Sequence, residues 1–378
     1  MVVDSHFPPA SAGRESHPDD PAGEAADRAQ TYDLFLAGTV FLDIIFSGML
    51  KPPTRGHEIW TDGMGSSPGG VANLAVAAAR LGLHTSLAAA FGQDGYGDFC
   101  WKILAEHESI DLSHSKRYHD WHSPVTVSLA FDDDRSMITH GHPPPEDTDT
   151  MIEGPPRCRA GFVELGIPQP RWVEVAATRG TLMFGDVGWD PAERWDAGQL
   201  RERLAYCHAF VPNAVEAQAF TRTEHPRDAL DAMAGWVPLA VVTDGTRGAI
   251  GHDATTGECA TADSIRVEAL DTTGAGDVFL AGLVTGTLGG WPLVQRLRFA
   301  NLCAALSVRH FGGALAAPGW ADIAAWWSDN RDTPGAADAY SFLSEVIPDQ
   351  AAASVLRATA TIGLRSGLDQ ELRRGDDQ

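Results

Sequence analysis

The chain reads Asp271-Thr272-Thr273-Gly274-Ala275-Gly276-Asp277 between a strand-like run and the apolar, helix-like run at 278–283. Small residues at the start of a helix leave backbone N–H groups uncovered, and the helix dipole favours an anion there. Asp277 adds a carboxylate beside that anion. The stretch therefore predicts a phosphoryl-transfer site. An ordinary glycine turn, with Asp277 as a helix cap, is the alternative in isolation.

The composition indicates a soluble globular protein with a large core. Of 378 residues, 44% are hydrophobic, which suits one large α/β domain with an accessory piece. The formal net charge of −23 argues against sequence-independent binding to nucleic acid or to an anionic membrane. Five cysteines without a Cys-x-x-Cys spacing indicate neither a disulfide framework nor a zinc site, and they suit the cytoplasm. We find no membrane-spanning apolar run and no secretory signal.

Three sections of different composition divide the chain. Residues 1–30 are rich in Pro, Ala, Gly and acidic residues, so we expect this segment to be disordered. Residues 31–330 alternate strand-like and helix-like runs, which predicts a mostly parallel sheet with helices on both faces. Residues 331–378 form a C-terminal extension to which the sequence assigns no role.

Two parts of the central section, at about 44–60 and 121–140, differ from the rest. From Val125 to Phe131, apolar residues alternate with Thr, Ser and Ala. A period of two predicts a sheet with one exposed face, so we expect a small β lid; edge strands on the main sheet are the alternative. For the main sheet we predict strands at 34–37, 86–90, 182–184, 210–212 and 239–243, and helices at 71–81 and 292–309.

Two segments carry polar groups that suit a hydroxylated ligand. Residues 67–73 read Ser-Pro-Gly-Gly-Val-Ala-Asn, in which two glycines let a ligand approach the backbone and Asn73 can donate and accept hydrogen bonds. Asp43 lies a few residues past the first strand, at the sheet edge where α/β proteins bind ligands. A capped helix after a tight turn, and a solvated loop Asp, are the alternatives.

Three further segments suit a metal ion and a nucleotide. Asn213 and Glu216 lie on one side of the first turn of a predicted helix, where hard oxygen ligands suit Mg²⁺ and where a helix-capping pattern is the alternative. Residues 243–248 end a strand in a glycine turn, which suits a nucleotide's phosphates and ribose as well as it suits an ordinary turn. The helix that contains Asn301, with the glycines at 312–313, suits an adenine slot.

In this order and spacing, the segments resemble the ribokinase-like (PfkB) family of carbohydrate and nucleoside kinases, from about Asp33 to Trp327. Residues 271–277 match the C-terminal signature of that family, and residues 69–98 resemble its N-terminal one. The resemblance implies the ribokinase-like α/β fold with its lid. It also implies ATP-dependent phosphorylation of a primary hydroxyl group on a small sugar or sugar derivative.

The same resemblance implies roles for the residues quoted above. Asp277 would be the base that takes the proton of the attacking hydroxyl. ATP would be the donor, with Mg²⁺ held through water and with K⁺ nearby. It implies that the amides of Gly274, Ala275 and Gly276 bind the phosphoryl group and that the acceptor is held by Asp43, Gly69, Gly70, Asn73 and Glu164. The nucleotide would be bound by Thr243, Gly245, Gly248 and Asn301. Mg²⁺ would be held by Asn213 and Glu216, and K⁺ by Asp271 and the carbonyl of Thr273, with carbonyls from 309–313.

One departure from the family pattern concerns the acceptor. Ribose-specific members carry a Glu just before the Pro that ends a middle strand, whereas this chain has Gly166 near that place and Glu164 two residues earlier. This argues against ribose and not against another sugar.

Two other functions stay open. A nucleoside (adenosine-like) kinase is the alternative within the same chemistry. A non-catalytic binding or regulatory protein of the same fold is the alternative of another class, against which the intact 274–277 run argues. We expect a small-molecule acceptor, no nucleic acid, no membrane, and a homodimer formed through exposed lid strands.

Overall fold

Three sheets, of eight, five and two strands, and their covering helices make up the fold. A computed structural model describes residues 31–49, 51–131, 134–165, 169–187, 194–349, 357–358 and 361–364. The predictions made for residues 1–30 and for Gly166 lie outside these ranges. The strands in chain order are β1 (Tyr32–Ala37), β2 (Val40–Met49), β3 (Gly63–Gly70), β4 (Thr85–Ala88), β5 (Ala90–Gly92), β6 (Lys116–Tyr118), β7 (Val125–Phe131), β8 (Asp134–His140), β9 (Cys158–Glu164), β10 (Leu182–Asp186), β11 (Ala209–Phe210), β12 (Leu239–Thr243), β13 (Ala249–Asp253), β14 (Glu258–Ala262) and β15 (Thr361–Leu364).

The helices alternate with these strands over most of the chain. They are α1 (Val71–Arg80), α2 (Gly95–Lys102), α3 (Thr148–Ile152), α4 (Arg171–Thr178), α5 (Ala197–Arg203), α6 (Ala214–Thr221), α7 (Pro226–Met233), α8 (Ala275–Leu288), α9 (Leu293–Ser307), α10 (Trp320–Asn330), α11 (Ala336–Tyr340) and α12 (Leu343–Val346). Short 3-10 or π turns lie at Ile103–His107, Leu204–Tyr206, Gly245–Arg247 and Gly313–Ala316. Within the described ranges, no helix has the length and apolar character needed to cross a membrane.

An eight-stranded sheet forms the centre of the fold, in the order β14-β13-β12-β11-β10-β9-β1-β4. The strands from β12 to β4 pair in parallel, and β13 and β14 add an antiparallel edge. Consecutive residues Leu34, Phe35 and Leu36 of β1 are all fully buried, because helices cover both faces of the sheet. Helices α1, α8 and α9 pack on one face, and α4, α6 and α7 on the other. The predicted mostly parallel sheet is confirmed.

Most elements predicted for this sheet match observed ones. The predicted strands at 34–37, 182–184 and 239–243 fall within β1, β10 and β12, the strand at 86–90 divides between β4 and β5, and the helices at 71–81 and 292–309 correspond to α1 and α9. The strand predicted at 210–212 overlaps β11 only at Phe210, since Pro212 has no N–H with which to extend a ladder. Helix α1 stops before Gly82, which has a left-handed φ of 84°.

A second sheet, which we call the lid, has the order β15-β3-β2-β7-β8. β2 and β7 are parallel neighbours, and the other pairs are antiparallel. Since the lid is separate from the main sheet, the alternative of extra edge strands on the main sheet is wrong. The ranges 44–60 and 121–140 contain part of β2 and all of β7 and β8, whereas β3 and β15 lie outside them.

Strand β3 has an unusual composition, Gly-Met-Gly-Ser-Ser-Pro-Gly-Gly over residues 63–70. Glycine and proline weaken strands, so pairing must hold this segment extended. β3 is paired on both edges, with β2 on one side and β15 on the other. It runs directly into α1, and the junction of lid and helix therefore carries Gly69, Gly70 and Asn73.

Candidate active site

The start of α8 has the geometry of an anion site. Gly274 is left-handed, with φ of 75°, which turns the chain into the helix. Val278 N donates to Gly274 O at 2.9 Å and closes the first turn, so the amides before it belong to the group that a helix leaves without helical partners. A Cβ placed on Gly274 would lie 3.1 Å from Asn73 Cγ. Glycine therefore serves both the turn and the close approach of Asn73.

Asp277 is the third residue of α8 and faces the start of α1. Its Oδ2 accepts a hydrogen bond from Asn73 Nδ2 at 3.1 Å. Burial raises the pKa of Asp277 to about 6, against which the Asn73 bond acts in the lowering direction, while the charge of Glu164 adds to the rise. At pH 7 a carboxyl with this pKa is still mostly ionised, so it can accept a proton.

Asp43 lies on strand β2 of the lid, which pairs with the strand that leads into α1 and Asn73. It is 6% exposed and pairs across β3 with Ser67 and across β7 with Thr126, so the three side chains share one face of the lid. Thr126 Oγ1 lies 3.1 Å from Thr139 Oγ1 on β8. Hydroxyl groups therefore line the lid face on which Asp43 stands, and Ser128, two residues further along β7, is also buried.

The two glycines at the end of β3 are required by their neighbours. A Cβ placed on Gly69 would lie 1.9 Å from Asp43 Oδ2, so any other residue would displace that carboxylate. Gly70 has φ of 62°, and a Cβ there would lie 2.3 Å from Thr39 O. The Gly-Gly pair thus gives Asp43 its place, in addition to leaving the backbone open to a ligand.

Carboxylates gather at the ends of β9 and β10 and at the start of α6. Glu164 ends β9 and pairs in register with Asp186, which ends β10, and Glu216 lies in the first turn of α6. Burial raises the pKa of Asp186 well above its ordinary value, and the charges of Glu216, Asp277 and Glu164 add to that effect. Asp186 is not among the residues predicted from the sequence. An acidic residue at the end of a parallel strand, beside the strand that ends at Glu164, is the signal that would have found it.

Asn213 and Glu216 form a capping box at the start of α6. Asn213 N donates to Glu216 Oε2 at 2.9 Å, and Glu216 N donates to Asn213 Oδ1 at 3.0 Å. The capping alternative therefore describes the contacts that these two residues make with each other. Burial also raises the pKa of Glu216, which acts electrostatically on Asp186. A cation near this acidic cluster would relieve the repulsion.

The residues fit magnesium in one particular way. The described part of the chain contains no group of three or more His, Cys, Asp or Glu side chains that could hold a metal ion. Mg²⁺ commonly meets a protein through one or two carboxylates, with waters and substrate phosphates as its other ligands. Asp186 and Glu216 suit that mode of binding, because they are half-buried carboxylates whose pKa is raised by desolvation, a cost that a nearby cation relieves.

A cavity of about 780 Å³ lies beside the start of α8 and contains all four residues predicted for the nucleotide. It extends from Ala304, Ala305 and Val308 on the apolar side to Thr272 and Gly276 at the helix start. Its size is that of a small-molecule or cofactor pocket. The predicted residues that line it are Thr243, Gly245, Gly248 and Asn301.

Two of these residues also build the cavity wall. Asn301 Nδ2 donates to Ala262 O at 2.9 Å and to Asp263 O at 3.2 Å, which fixes the end of β14 against α9. Gly248 has φ of 95°, and a Cβ placed on it would lie 2.1 Å from Ala262 O. Their residue types are thus explained by the shape of the wall as well as by any ligand.

Asp271 links the start of α8 to the loop that follows α9. Its Oδ1 accepts from Thr273 N at 2.9 Å and its Oδ2 from Gly312 N at 3.3 Å. The N–H groups of Leu270 and Asp271 both donate to Val308 O, at 2.7 and 3.2 Å. The two segments predicted to supply the monovalent-cation ligands, 271–273 and 309–313, are therefore neighbours.

A separate lid, an anion site at a helix start and a nucleotide-sized cavity beside a buried carboxylate together define a small-molecule kinase of the ribokinase-like fold. The sequence model of the pfkB family carbohydrate kinases matches residues 61–319, and the chain belongs to this family. It is accordingly a sugar or nucleoside kinase, a phosphotransferase.

Relatives of known activity include both kinds of kinase. Ribokinase of Schizosaccharomyces pombe is 26% identical over 312 residues, which cover 77% of this chain and 96% of that protein. Nucleoside kinase of Methanothermobacter thermautotrophicus is 29% identical over 251 residues, which cover 65% of this chain and 79% of that protein. The structure of Arabidopsis thaliana ribokinase complexed with ribose and ATP aligns with a TM-score of 0.63 at 21% identity, over 77% of this chain and 96% of that one.

Proposed function

We propose that the protein transfers the γ-phosphoryl group of ATP to a primary hydroxyl of a small sugar or sugar derivative. The observation that carries this proposal is the bond between Asn73 and Asp277, at 3.1 Å, where α8 begins. The nucleotide-sized cavity reaches Gly276 from one side, and the Asp43 face of the lid leads to Asn73 from the other. The γ-phosphate of ATP and the hydroxyl group of the sugar would meet beside the Asp277 carboxylate.

The acceptor would be held by polar groups that still have bonding capacity. Asn73 gives Nδ2 to Asp277, while its Oδ1 is buried and has no hydrogen-bond partner among the described residues. Asp43 would accept from further hydroxyls, with Gly69 and Gly70 leaving the backbone open. Glu164 ends β9 beside Asp186, and its carboxylate would accept a further hydrogen bond from the substrate. An unsatisfied buried carbonyl oxygen is costly, so a hydroxyl that bonds Asn73 Oδ1 would bind favourably.

The chemistry would be completed by the residues of α8. Asp277 takes the proton of the acceptor hydroxyl. At the same time the oxygen of that hydroxyl forms a bond to the γ-phosphorus, and the bond between this phosphorus and the departing ADP breaks. The amides of Gly274, Ala275 and Gly276 stabilise the negative charge on the transferred oxygens, and the helix dipole adds to this. Phosphoryl transfer needs mainly such positioning and charge stabilisation.

We propose ATP for the cavity and two cations beside it. The Arabidopsis ribokinase structure holds ATP, which supports the donor. Asn213 and Glu216, together with Asp186, would hold Mg²⁺ through water, and Asp271 with the carbonyl of Thr273 would hold K⁺. When bound, Mg²⁺ neutralises charge on the phosphates. The acidic cluster supports the first assignment, and the contact of Asp271 with Gly312 supports the second.

A nucleoside acceptor is the second candidate, and the Methanothermobacter relative favours it. The lid face favours a sugar instead, because Asp43, Ser67 and Thr126 stand together there and bury polar groups that suit a polyol. The deciding experiment measures ADP release with sugars, sugar phosphates, sugar acids and nucleosides as acceptors. A nucleoside as the best acceptor would reverse the preference, and ATP turnover stimulated by none of them would remove the proposal.

The pH dependence of activity follows from the raised pKa of Asp277. The base must be ionised, and its pKa is about 6, so kcat/KM should fall about tenfold for each pH unit below that value and level off above it. Glu164→Gln removes a charge that raises this pKa and should move the fall to lower pH. Initial rates between pH 4.5 and about 8 measure both. Rates that stay level down to about pH 4.5, or an acid limb that the Glu164 substitution does not shift, would contradict the assignment.

We also propose a homodimer formed through the β8 edge of the lid, and a cytoplasmic location. On β8, Met137 is 54% exposed and Ile138 is 63% exposed, which supports an interface there. Analytical ultracentrifugation should give the mass of a dimer for the native chain and of a monomer for Ile138→Lys. The location rests on five cysteines that are all free, as a reducing compartment keeps them.

A further inference from the structure

The C-terminal extension contributes a strand to the lid. The match to the family model ends at residue 319, and the segment that follows still packs on the kinase domain, with Ile323, Tyr340 and Leu343 buried in its core. We call the described residues 357–358 and 361–364 the C-terminal strap. The strap touches the body of the protein at its first part and the lid at its second, and only two residues separate these contacts.

The first part of the strap is anchored in a buried ion pair. Arg80 and Glu108 form two parallel hydrogen bonds, Nε to Oε2 at 2.9 Å and Nη2 to Oε1 at 2.8 Å, and their side chains are 5% and 1% exposed. Ala358 bonds both partners: its N–H donates to Glu108 Oε1 at 2.9 Å, and its carbonyl accepts from Arg80 Nη2 at 3.0 Å.

A second contact of the anchor lies at the start of α10. Arg357 Nη1 donates to Asp322 Oδ2 at 2.7 Å, and the same oxygen accepts from Gly319 N at 2.8 Å. Gly319 is the N-cap of α10, and the Arg357 guanidinium lies against it. The strap thus contacts the capped start of α10.

The second part of the strap, β15, pairs antiparallel with β3, with Thr361 opposite Ser66 and Leu364 opposite Gly63. β3 is rich in glycine and would keep its extended form only weakly if it were left unpaired. The strand continues from Ser66 into Ser67, which pairs with Asp43, and then into Gly69. Pairing that holds β3 extended therefore also positions the end of β3 that reaches the proposed acceptor site.

We propose that the C-terminal strap is a positioning element of the acceptor site: anchored at Ala358, it holds β3, and through β3 the Asp43 face of the lid, in the geometry that binds the acceptor. The proposal rests on the proposed kinase function for its effect on turnover, and on the backbone pairing alone for its effect on β3. The strap contains none of the residues that line the nucleotide cavity.

Two truncations differ only by the strand in question. A chain that ends at residue 360 keeps Ala358 as an uncharged backbone unit in the anchor and loses β15, whereas a chain that ends at Leu364 keeps both and serves as the matched control. We expect loss of β15 to raise the KM of the best acceptor from the panel about tenfold and to leave the KM of ATP within about twofold. Hydrogen exchange of the amides at 63–66 should become about tenfold faster or more. The control should match the full chain in all three.

A full-length variant covers the case in which truncation prevents folding. Ile362→Pro combined with Gly363→Pro removes the N–H groups of two successive strand residues, one of which must face β3. It should reproduce the higher acceptor KM and the faster exchange. Unchanged exchange at 63–66 in the variants would overturn the proposal even if no acceptor were turned over. Faster exchange with an unchanged acceptor KM would show a purely structural strand and would overturn it too.

Discussion

Asp277→Asn is expected to lower kcat by about 10³-fold, because a general base contributes roughly 10²–10⁴-fold and Asp277 is the carboxylate that Asn73 holds at the start of α8. The substitution keeps the shape of the side chain, and an amide oxygen still accepts from Asn73 Nδ2. It also removes a negative charge from the place where phosphate would bind. ATP binding should therefore be retained or tightened, which titration with a fluorescent ATP analogue measures beside the rate of ADP release.

A matched control exists in another helix. Asp228 is also the third residue of its helix, α7, but it is exposed. Asp228→Asn removes the same kind of charge from the same helical position, so its kcat should stay within about twofold of the unaltered protein. Should Asp277→Asn keep a rate close to that of Asp228→Asn, the carboxylate is not the base. Loss of ATP binding together with the rate would point instead to damage at the start of α8.

The site could be predicted where its parts are contiguous in sequence. Residues 271–277 carry the anion site and the carboxylate within one turn, and the left-handed Gly274 starts α8 where the glycines indicated. Gly69, Gly70 and Asn73 lie equally close together along the chain. The order of strands and helices in the main sheet was predictable for a similar reason, since buried parallel strands are short apolar runs.

Long-range contacts escaped prediction because they leave little local signal. No strand is predicted at 63–70 from the sequence, yet these residues form β3, since tertiary pairing overrides the low strand propensity of glycine. Asp186 gains its importance only from strands that end beside it. The four-residue strand β15 pairs with a segment almost 300 residues earlier, and its sequence carries no sign of that partner.

The capping box of Asn213 and Glu216 shows a different limit. The sequence pattern predicts both a metal site and a cap. The two residues cap α6, at 2.9 and 3.0 Å. A single sequence cannot rank these uses, because an amide and a carboxylate three residues apart suit a capping box and a water-mediated cation site alike, and their oxygens have lone pairs for both.

Arg80→Met is expected to destabilise the protein by about 3–5 kcal/mol, since removing one partner of a buried ion pair leaves the other charge uncompensated. Arg80 Nη1 also donates to Leu315 O at 2.9 Å and to Ala317 O at 2.7 Å, and Arg80 Nη2 donates to Ala358 O. The substitution therefore leaves these three carbonyl oxygens without their arginine donor. Methionine keeps much of the side-chain volume and none of the donors. Thermal unfolding should begin roughly 6 °C or more lower, at about 2 °C per kcal/mol for a chain of this size.

Two further variants separate charge from packing in this prediction. Arg80→Met combined with Glu108→Gln removes the stranded charge, so the double variant should recover part of the loss; full recovery is not expected, because the three carbonyls stay without a donor. Arg331→Met breaks an exposed pair with Asp332, at 3.9 Å, and should cost less than about 1 kcal/mol. If Arg80→Met lowered the stability as little as Arg331→Met, the Arg80–Glu108 pair would not be what holds α1, the 315–317 turn and the strap together. A double variant less stable than Arg80→Met alone would show that the Glu108 charge is not what destabilises the single variant.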